Sequence, residues 1–323
     1  MIRVGIVGYG NIGRGVALAV GVNPDMELRA VFTRRDPESI IISGRNVSVL
    51  PVDRAADMVG EIDVMLLCGG SATDLPEQGP YFASMFNTVD SYDTHAKIPE
   101  YMASIDAVAK STTAIISTGW DPGLFSMMRT LFEATLPEGK SYTFWGKGFS
   151  QGHSDAIRQI DGVQYAAQYT VPIESAVDAV RNGERPVFTA REKMTRECFV
   201  VAKPGADEVK IKEAIIKMPH YFADYDTTVS FIDANEFLAN HSEMPHGGMV
   251  LHSASTGNNN SQVMEFSLKL DSNPEFSGSI MAAYARAAYQ MSKEGLFGAK
   301  TVFDVPLSYL SLRDRLDLIK DLL

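Results

Sequence analysis

Residues 2–13 read Ile-Arg-Val-Gly-Ile-Val-Gly-Tyr-Gly-Asn-Ile-Gly, an apolar run that passes without interruption into Gly8-Tyr9-Gly10-Asn11-Ile12-Gly13. Residues 2–8 have the length and composition of a buried strand, and amphipathic helical sequence follows through about Val20. A G-x-G-x-x-G is weak in isolation and strong where a strand gives way to a helix, as here. Gly8 permits the tight turn, Gly10 lets a pyrophosphate approach the backbone, and Gly13 allows close helix–strand packing. The helix start, with Tyr9, Asn11 and Ile12 in the loop, offers free N–H groups and a positive dipole end to phosphate. A glycine turn without a ligand is the plainer alternative, and the strand–turn–helix setting disfavours it.

Working outward, Asn23-Pro24-Asp25 marks a turn and Glu27–Phe32 reads as a second strand, ending in Thr33-Arg34-Arg35. An NAD enzyme usually places Asp or Glu there to bond the ribose hydroxyls. Two guanidiniums and a hydroxyl suit a 2′-phosphate instead, which makes NADP the expected cofactor; the bland reading is a solvated charged turn. Asp36 follows the strand end as a turn residue. A third apolar run at 63–68 breaks at Gly69-Gly70-Ser71. Cys68, Gly69, Ser71 and Thr73 are expected along the cofactor, although Ser71 or Asp74 is equally suited to capping the next helix. Further strands at 87–89 and 114–117 alternate with helices at about 76–86 and 97–110. That alternation predicts a Rossmann-type, doubly wound parallel sheet, α/β in class.

After residue 122 the pattern changes. Helical segments fall at about 126–135, 174–182, 207–217, 274–293 and 312–322, and strand candidates at 140–150, 163–172, 195–203 and 225–232. This part reads as mixed α+β with antiparallel strands. The expected division is a dinucleotide domain at 1–122 and a second region at 123–295, with the last helix (about 296–323) packing back on the first domain.

Composition bounds the function. The 323 residues are 45% hydrophobic and 21% charged, enough apolar material for a sizeable core. A net charge of −11 repels nucleic acid and anionic membrane. No stretch approaches the ~18 apolar residues of a membrane span, and no leader pattern opens the chain. Two cysteines, Cys68 and Cys198, make no disulfide framework and fit a reducing, cytoplasmic setting.

Two more strand ends carry polar clusters, Thr88-Val89-Asp90-Ser91-Tyr92-Asp93 and Ser117-Thr118-Gly119-Trp120-Asp121-Pro122-Gly123. Acids past neighbouring strands of one sheet face one crevice. Carboxylates beside a nicotinamide have a natural partner in a substrate ammonium, and one of them serves as general base. The competing reading makes them caps or turn formers, which Asp-Pro-Gly resembles. Function is favoured for Asp93 and Asp121, and Asp90 is left open. Ser91 and Tyr92 are counted with the cofactor contacts.

These residues resemble the NADP-dependent meso-diaminopimelate dehydrogenase family. The likeness runs in order along nearly the whole chain, through the glycine loop, Thr33-Arg34-Arg35, residues 68–74, 89–93 and 117–123. It continues through Thr143-Phe144-Trp145-Gly146, Gln168-Tyr169-Thr170 and Cys198-Phe199-Val200-Val201. Its most specific blocks are Ser150-Gln151-Gly152-His153-Ser154-Asp155-Ala156 and Met244-Pro245-His246-Gly247-Gly248. The resemblance implies a homodimer with a Rossmann domain and a substrate-binding and dimerisation part. It implies oxidative deamination of the D-centre of meso-2,6-diaminopimelate to L-2-amino-6-oxopimelate and ammonia, in lysine and cell-wall precursor biosynthesis. By the same resemblance, Asp93 and Asp121 meet the amine at the D-centre, lined by Trp120, Trp145, Phe144, Gln151 and Gly152. Thr170, Arg196, His246 and Asn273 hold the distal L-centre. His153 is a candidate proton relay to water, against the commoner role of a structural histidine. His95, His220, His241 and His252 have no motif, and no histidine shows metal-ligand spacing.

A related amino diacid or semialdehyde on the same scaffold is the alternative substrate. A NADPH sensor without chemistry is a further reading, disfavoured because Asp93, Asp121 and Arg196 are all present.

Overall fold

The computed structural model describes residues 1–42, 47–219 and 221–323, so His220 lies outside the described residues. The chain divides into two compact units, Met1–Met127 with Pro274–Leu323, and Met128–Asn273. The sequence expectation set the boundary at 122 and the return at about 296.

The first unit is a parallel sheet of β1 (Ile2–Val7), β2 (Met26–Thr33), β3 (Ser48–Pro51), β4 (Val64–Leu67), β5 (Asn87–Asp90) and β6 (Thr113–Ile115), with Gly298–Lys300 as a seventh strand. Its order is β3-β2-β1-β4-β5-β6 and then Gly298–Lys300. β1 and β4 are buried almost throughout, as strands covered on both faces must be. Register aligns the strand ends: Val7 pairs with Phe32 and Leu67, and Leu67 with Asp90. The loops that follow all leave from one level edge, on either side of the switch between β1 and β4, where open α/β sheets bind ligands.

Two glycine contacts let this unit close. A Cβ on Gly13 would run into the Gly8 carbonyl, so the helix Asn11–Val22 sits directly against its own loop. Gly15 and Gly278 bring that helix against the helix Asn273–Lys293, where a Cβ on either would collide with the other helix's backbone. The Arg286 side chain fixes the same contact by bonding Asp25 through Nε (2.6 Å) and Asn23 through Nη2 (2.7 Å).

The second unit carries β7 (Lys140–Trp145), β8 (Gly148–Phe149), β9 (Val163–Pro172), β10 (Met194–Ala202), β11 (Asp226–Phe231), β12 (His246–Thr256) and β13 (Asn260–Leu270). They form a four-stranded sheet, β11-β10-β9-β8, and a three-stranded sheet, β13-β12-β7. Most pairs are antiparallel as expected, but β10 and β11 run parallel, joined through the helix Glu208–Ile216. The β12–β13 hairpin was absent from the sequence reading. Its turn holds Gly257 and Asn259 at φ 53° and 65°, conformations that glycine and asparagine tolerate.

Candidate active site

Gly10 is open on its Cβ side, with no atom within 4 Å of where a side chain would begin. That cradle, directly before the helix Asn11–Val22, fits a pyrophosphate. Thr33 Oγ1 accepts the Arg35 N–H at 3.0 Å, which turns the chain at the end of β2. The Arg35 guanidinium then reaches back to the Tyr9 carbonyl at 2.6 Å, tying the arginine pair to the glycine loop. Both arginines stay exposed, and Arg34 is paired with Asp74 (Nη2 to Oδ1, 2.8 Å). After β4, Asp74 starts the helix Leu75–Ala83 without capping it through its side chain. Ser71 does not cap either: its hydroxyl accepts the backbone N–H of Asp93 at 2.7 Å and keeps its own proton for another acceptor. Cys68 is held as the neutral thiol by burial, which raises its pKa.

Asp90 has the contacts of a structural acid. Its carboxylate is buried, accepts the N–H of Tyr92 and of Ser117 (3.0 Å each), and takes the Tyr101 hydroxyl at 2.7 Å. Its carbonyl accepts both the N–H and the hydroxyl of Thr118. The Tyr92 and Tyr101 rings stack 4.1 Å apart beside it. Burial raises the Asp90 pKa while these three donors oppose the rise. The result is a brace between the loops after β5 and β6. Those loops present Asp93, exposed, and Asp121, half-buried. Ser117 in the braced loop sits at φ 56° with a buried, unpartnered hydroxyl. Trp120 is buried and meets Phe125 edge-on at 5.2 Å, in a turn closed by Leu124 N–H to the Gly119 carbonyl.

In the second unit, one face of the β9–β10–β11 sheet changes character along its length. Ala166, Val200 and Val229 pack in the apolar core, while Gln168, Thr170, Arg196 and Thr227 continue the same face as polar residues. Arg196 and Thr170 are direct partners in the register, and Arg196 Nη1 donates to Thr170 Oγ1. The guanidinium carbon lies 4.0 Å from the centre of the Tyr225 ring, a stacked cation–π contact. Arg196 is 7% exposed and its Nε has no partner. Gln168 Oε1 and Thr227 Oγ1, buried on the same face, are also unpartnered. Among the described residues no carboxylate pairs with Arg196, and burial lowers its pKa. A buried cation lacking an anion is costly, and a carboxylate arriving at this edge would relieve that cost. Tyr225 was not singled out from sequence; only its place at the start of a strand candidate was visible.

His153, in the helix Gln151–Arg158, bonds Ser150 Oγ through Nδ1 (2.6 Å) and packs against Tyr221 and Phe222. Burial, helped by the Arg196 charge, pushes its pKa down to about 4. A histidine neutral to that pH is a poor proton carrier at neutrality, which favours the hydrogen-bonding role of the two considered for His153. Gln151 and Gly152 form the exposed first turn of that helix. His246 opens β12, where Nδ1 accepts the Gly247 N–H at 2.8 Å and burial lowers its pKa. Gly148, opposite Thr170, lets the His246 ring approach; any Cβ there would overlap it. Asn273 bonds the Met244 carbonyl through its N–H (3.0 Å), which anchors it near His246 in the chain path. Trp145 ends β7 opposite Gly248. Phe144 is fully buried and packs with Tyr142, Val177, Val180 and Leu251.

Among the described residues no group of three His, Cys, Asp or Glu side chains is arranged to hold a metal, and no helix is long and apolar enough to cross a membrane.

The strand order, the glycine loop at the switch point and the arginine pair at the end of β2 define a nicotinamide-dinucleotide oxidoreductase of the Rossmann class. Residues 119–272 match the family described as diaminopimelic acid dehydrogenase C-terminal domain. The chain is 59% identical to the meso-diaminopimelate D-dehydrogenase of Lysinibacillus sphaericus, covering 100% of this chain and 99% of that one. The chain belongs to the meso-diaminopimelate dehydrogenase family. Two solved structures share its fold. The C. glutamicum DAP dehydrogenase in complex with DAP is 44% identical at a TM-score of 0.91, covering 99% of this chain and 98% of that one. An engineered D-amino acid dehydrogenase bound to NADP+ is 42% identical at a TM-score of 0.86, covering 99% of both chains.

Proposed function

We propose that this chain catalyses the reversible, NADP-dependent oxidative deamination of meso-2,6-diaminopimelate at its D-centre, yielding L-2-amino-6-oxopimelate and ammonia. The observation that carries the reading is the buried Arg196 guanidinium, stacked on Tyr225 and bonded to Thr170, with Nε unpartnered. It suits the carboxylate of a second amino-acid centre remote from the reacting one.

NADP, when bound, supplies the acceptor for the hydride leaving the D-centre carbon. The open Gly10 cradle and the exposed pair Arg34 and Arg35, with Thr33, would hold its phosphates. Gly8, Tyr9, Asn11, Ile12 and Gly13 shape that loop, and Cys68, Gly69, Ser71, Thr73, Ser91 and Tyr92 line the neighbouring strand ends. Asp93 and Asp121 receive the D-centre ammonium, and a carboxylate oxygen of one takes its proton as the carbon–nitrogen double bond forms. Water then adds to that carbon and ammonia leaves. Trp120 and Trp145, with Gln151 and Gly152, orient the reacting end. Arg196, Thr170, His246 and Asn273 fix the distal centre, so that hydride transfer proceeds from one held geometry. His153 bonds beside Arg196 and stays neutral. The family resemblance carries a homodimer, and the two unpaired thiols fit a cytoplasmic setting.

The test is NADPH formation with the meso, LL and DD isomers at equal concentration. The meso isomer is expected to be used in strong preference, and NAD to replace NADP poorly. Equal rates with all three isomers, or none with meso, would overturn the substrate assignment.

A further inference from the structure

Asp74 is an acid with no assigned task. It opens the helix Leu75–Ala83 but does not cap it. Its carboxylate is only 15% exposed and divides between two partners: Oδ1 lies 2.8 Å from Arg34 Nη2, and Oδ2 accepts the Gly70 N–H at 2.9 Å. The bond to Gly70 anchors the acid on the loop after β4. The ion pair carries it across to the turn after β2, since both strands flank β1 and end at its level. Rossmann domains that take NAD place an acid at the end of β2, on the ribose hydroxyls. In this chain that position is basic, and an acid reaches the same turn from the next loop instead.

We propose that Asp74 is a specificity-determining residue for the cofactor: a ribose-binding acid held in reserve and neutralised by Arg34. This rests on the NADP reading above. While Arg34 is present, it is paired with Asp74 and Arg35 is the guanidinium of the turn left without a carboxylate partner among the described residues to meet the 2′-phosphate, so Asp74 moderates the affinity. With Arg34 removed, the anchored carboxylate turns to the 2′- and 3′-hydroxyls of NAD; in NADP the 2′-hydroxyl is esterified by a phosphate whose charge repels it. The bland alternative is a surface ion pair, which is worth little.

The experiment measures NADP and NAD dissociation constants by calorimetry for the wild type, Asp74→Asn, Arg34→Ala and the double variant, with melting temperatures as the folding control. Asparagine keeps an acceptor for the Gly70 N–H, so the loop is retained. Asp74→Asn should tighten NADP by about two- to fivefold, the scale of a partly exposed charge pair, and leave NAD unchanged. Arg34→Ala should bind NAD more tightly than wild type, and the added Asp74→Asn should abolish that gain. Unchanged or weaker NADP binding in Asp74→Asn, or an NAD gain that survives in the double variant, overturns the proposal. A wild type that does not prefer NADP to NAD defeats the cofactor reading itself, and the proposal with it.

Discussion

Thr170 receives the Nη1 hydrogen bond of Arg196 across the β9–β10 pair, where the two residues face each other in register. With Tyr225 beneath the guanidinium, one N–H edge and one ring face are committed, which leaves Nε for a ligand. Arg196→Ala should therefore raise KM for meso-diaminopimelate by roughly 30-fold or more, the cost of stranding one partner of a desolvated charge pair. Arg196→Lys should recover little, because a point charge replaces neither the planar fork nor the stack. NADP binding should hold in both. The check is steady-state kinetics beside cofactor titration; a KM within about twofold of wild type would remove Arg196 from the substrate site.

Gly148 offers a second handle on the same end. It faces Thr170 in the β8–β9 pair, and a methyl group there would overlap the His246 ring. Gly148→Ala should turn that ring and raise KM for the diamino acid without altering the NADP dissociation constant. The measurement that decides is the split: a change in cofactor affinity of equal size would mean the substitution disturbs the whole fold.

The first unit was largely legible because its information is local. A glycine loop after a buried strand, an arginine pair after the next, and acids after two more all sit at strand ends that the parallel register then levels. What escaped was non-local. Tyr101 lies on a helix face like any core aromatic, and its bond to Asp90 exists only once two loops meet. Tyr225 carries no motif, yet stacks on Arg196 because β11 runs parallel to β10. The hairpin at 246–270 was missed because β12 is buried over most of its length, hiding the period-two alternation that its partner β13 shows. Phe144 entered the site through the family resemblance, and alternation along β7 turns it into the core.

Asp90 tests the difference between a structural and a reacting acid. Asp90→Ala would leave the N–H groups of Tyr92 and Ser117 and the Tyr101 hydroxyl without their acceptor. Each buried unsatisfied donor costs about 1–3 kcal/mol, so a loss of several kcal/mol in unfolding free energy is expected. Tyr101→Phe removes one of the three contacts and should cost about 1 kcal/mol. Denaturant unfolding of both variants measures this. A fully stable Asp90→Ala protein with abolished turnover would instead make Asp90 a reacting residue.

Acid sensitivity should come from histidines kept neutral in the fold. The ordinary histidine pKa is near 6.5, and burial with the Arg196 charge lowers His153 to about 4. Above pH 6.5 the folded and unfolded chains bind the same number of protons at this position, so pH has no leverage there. Between about 6.5 and 4 the unfolded chain takes a proton that the folded chain refuses, and stability falls with falling pH. Below about 4 both bind it, and the loss levels off at no more than about 3 kcal/mol, reduced further by solvent access to the ring. His246 and His241, also lowered by burial, add to the same slope. The melting temperature should therefore drop between pH 7 and pH 5, and His153→Gln should flatten part of that drop while the rest remains. A variant whose melting curve follows the wild type point for point across this range would mean His153 is exposed and titrates normally.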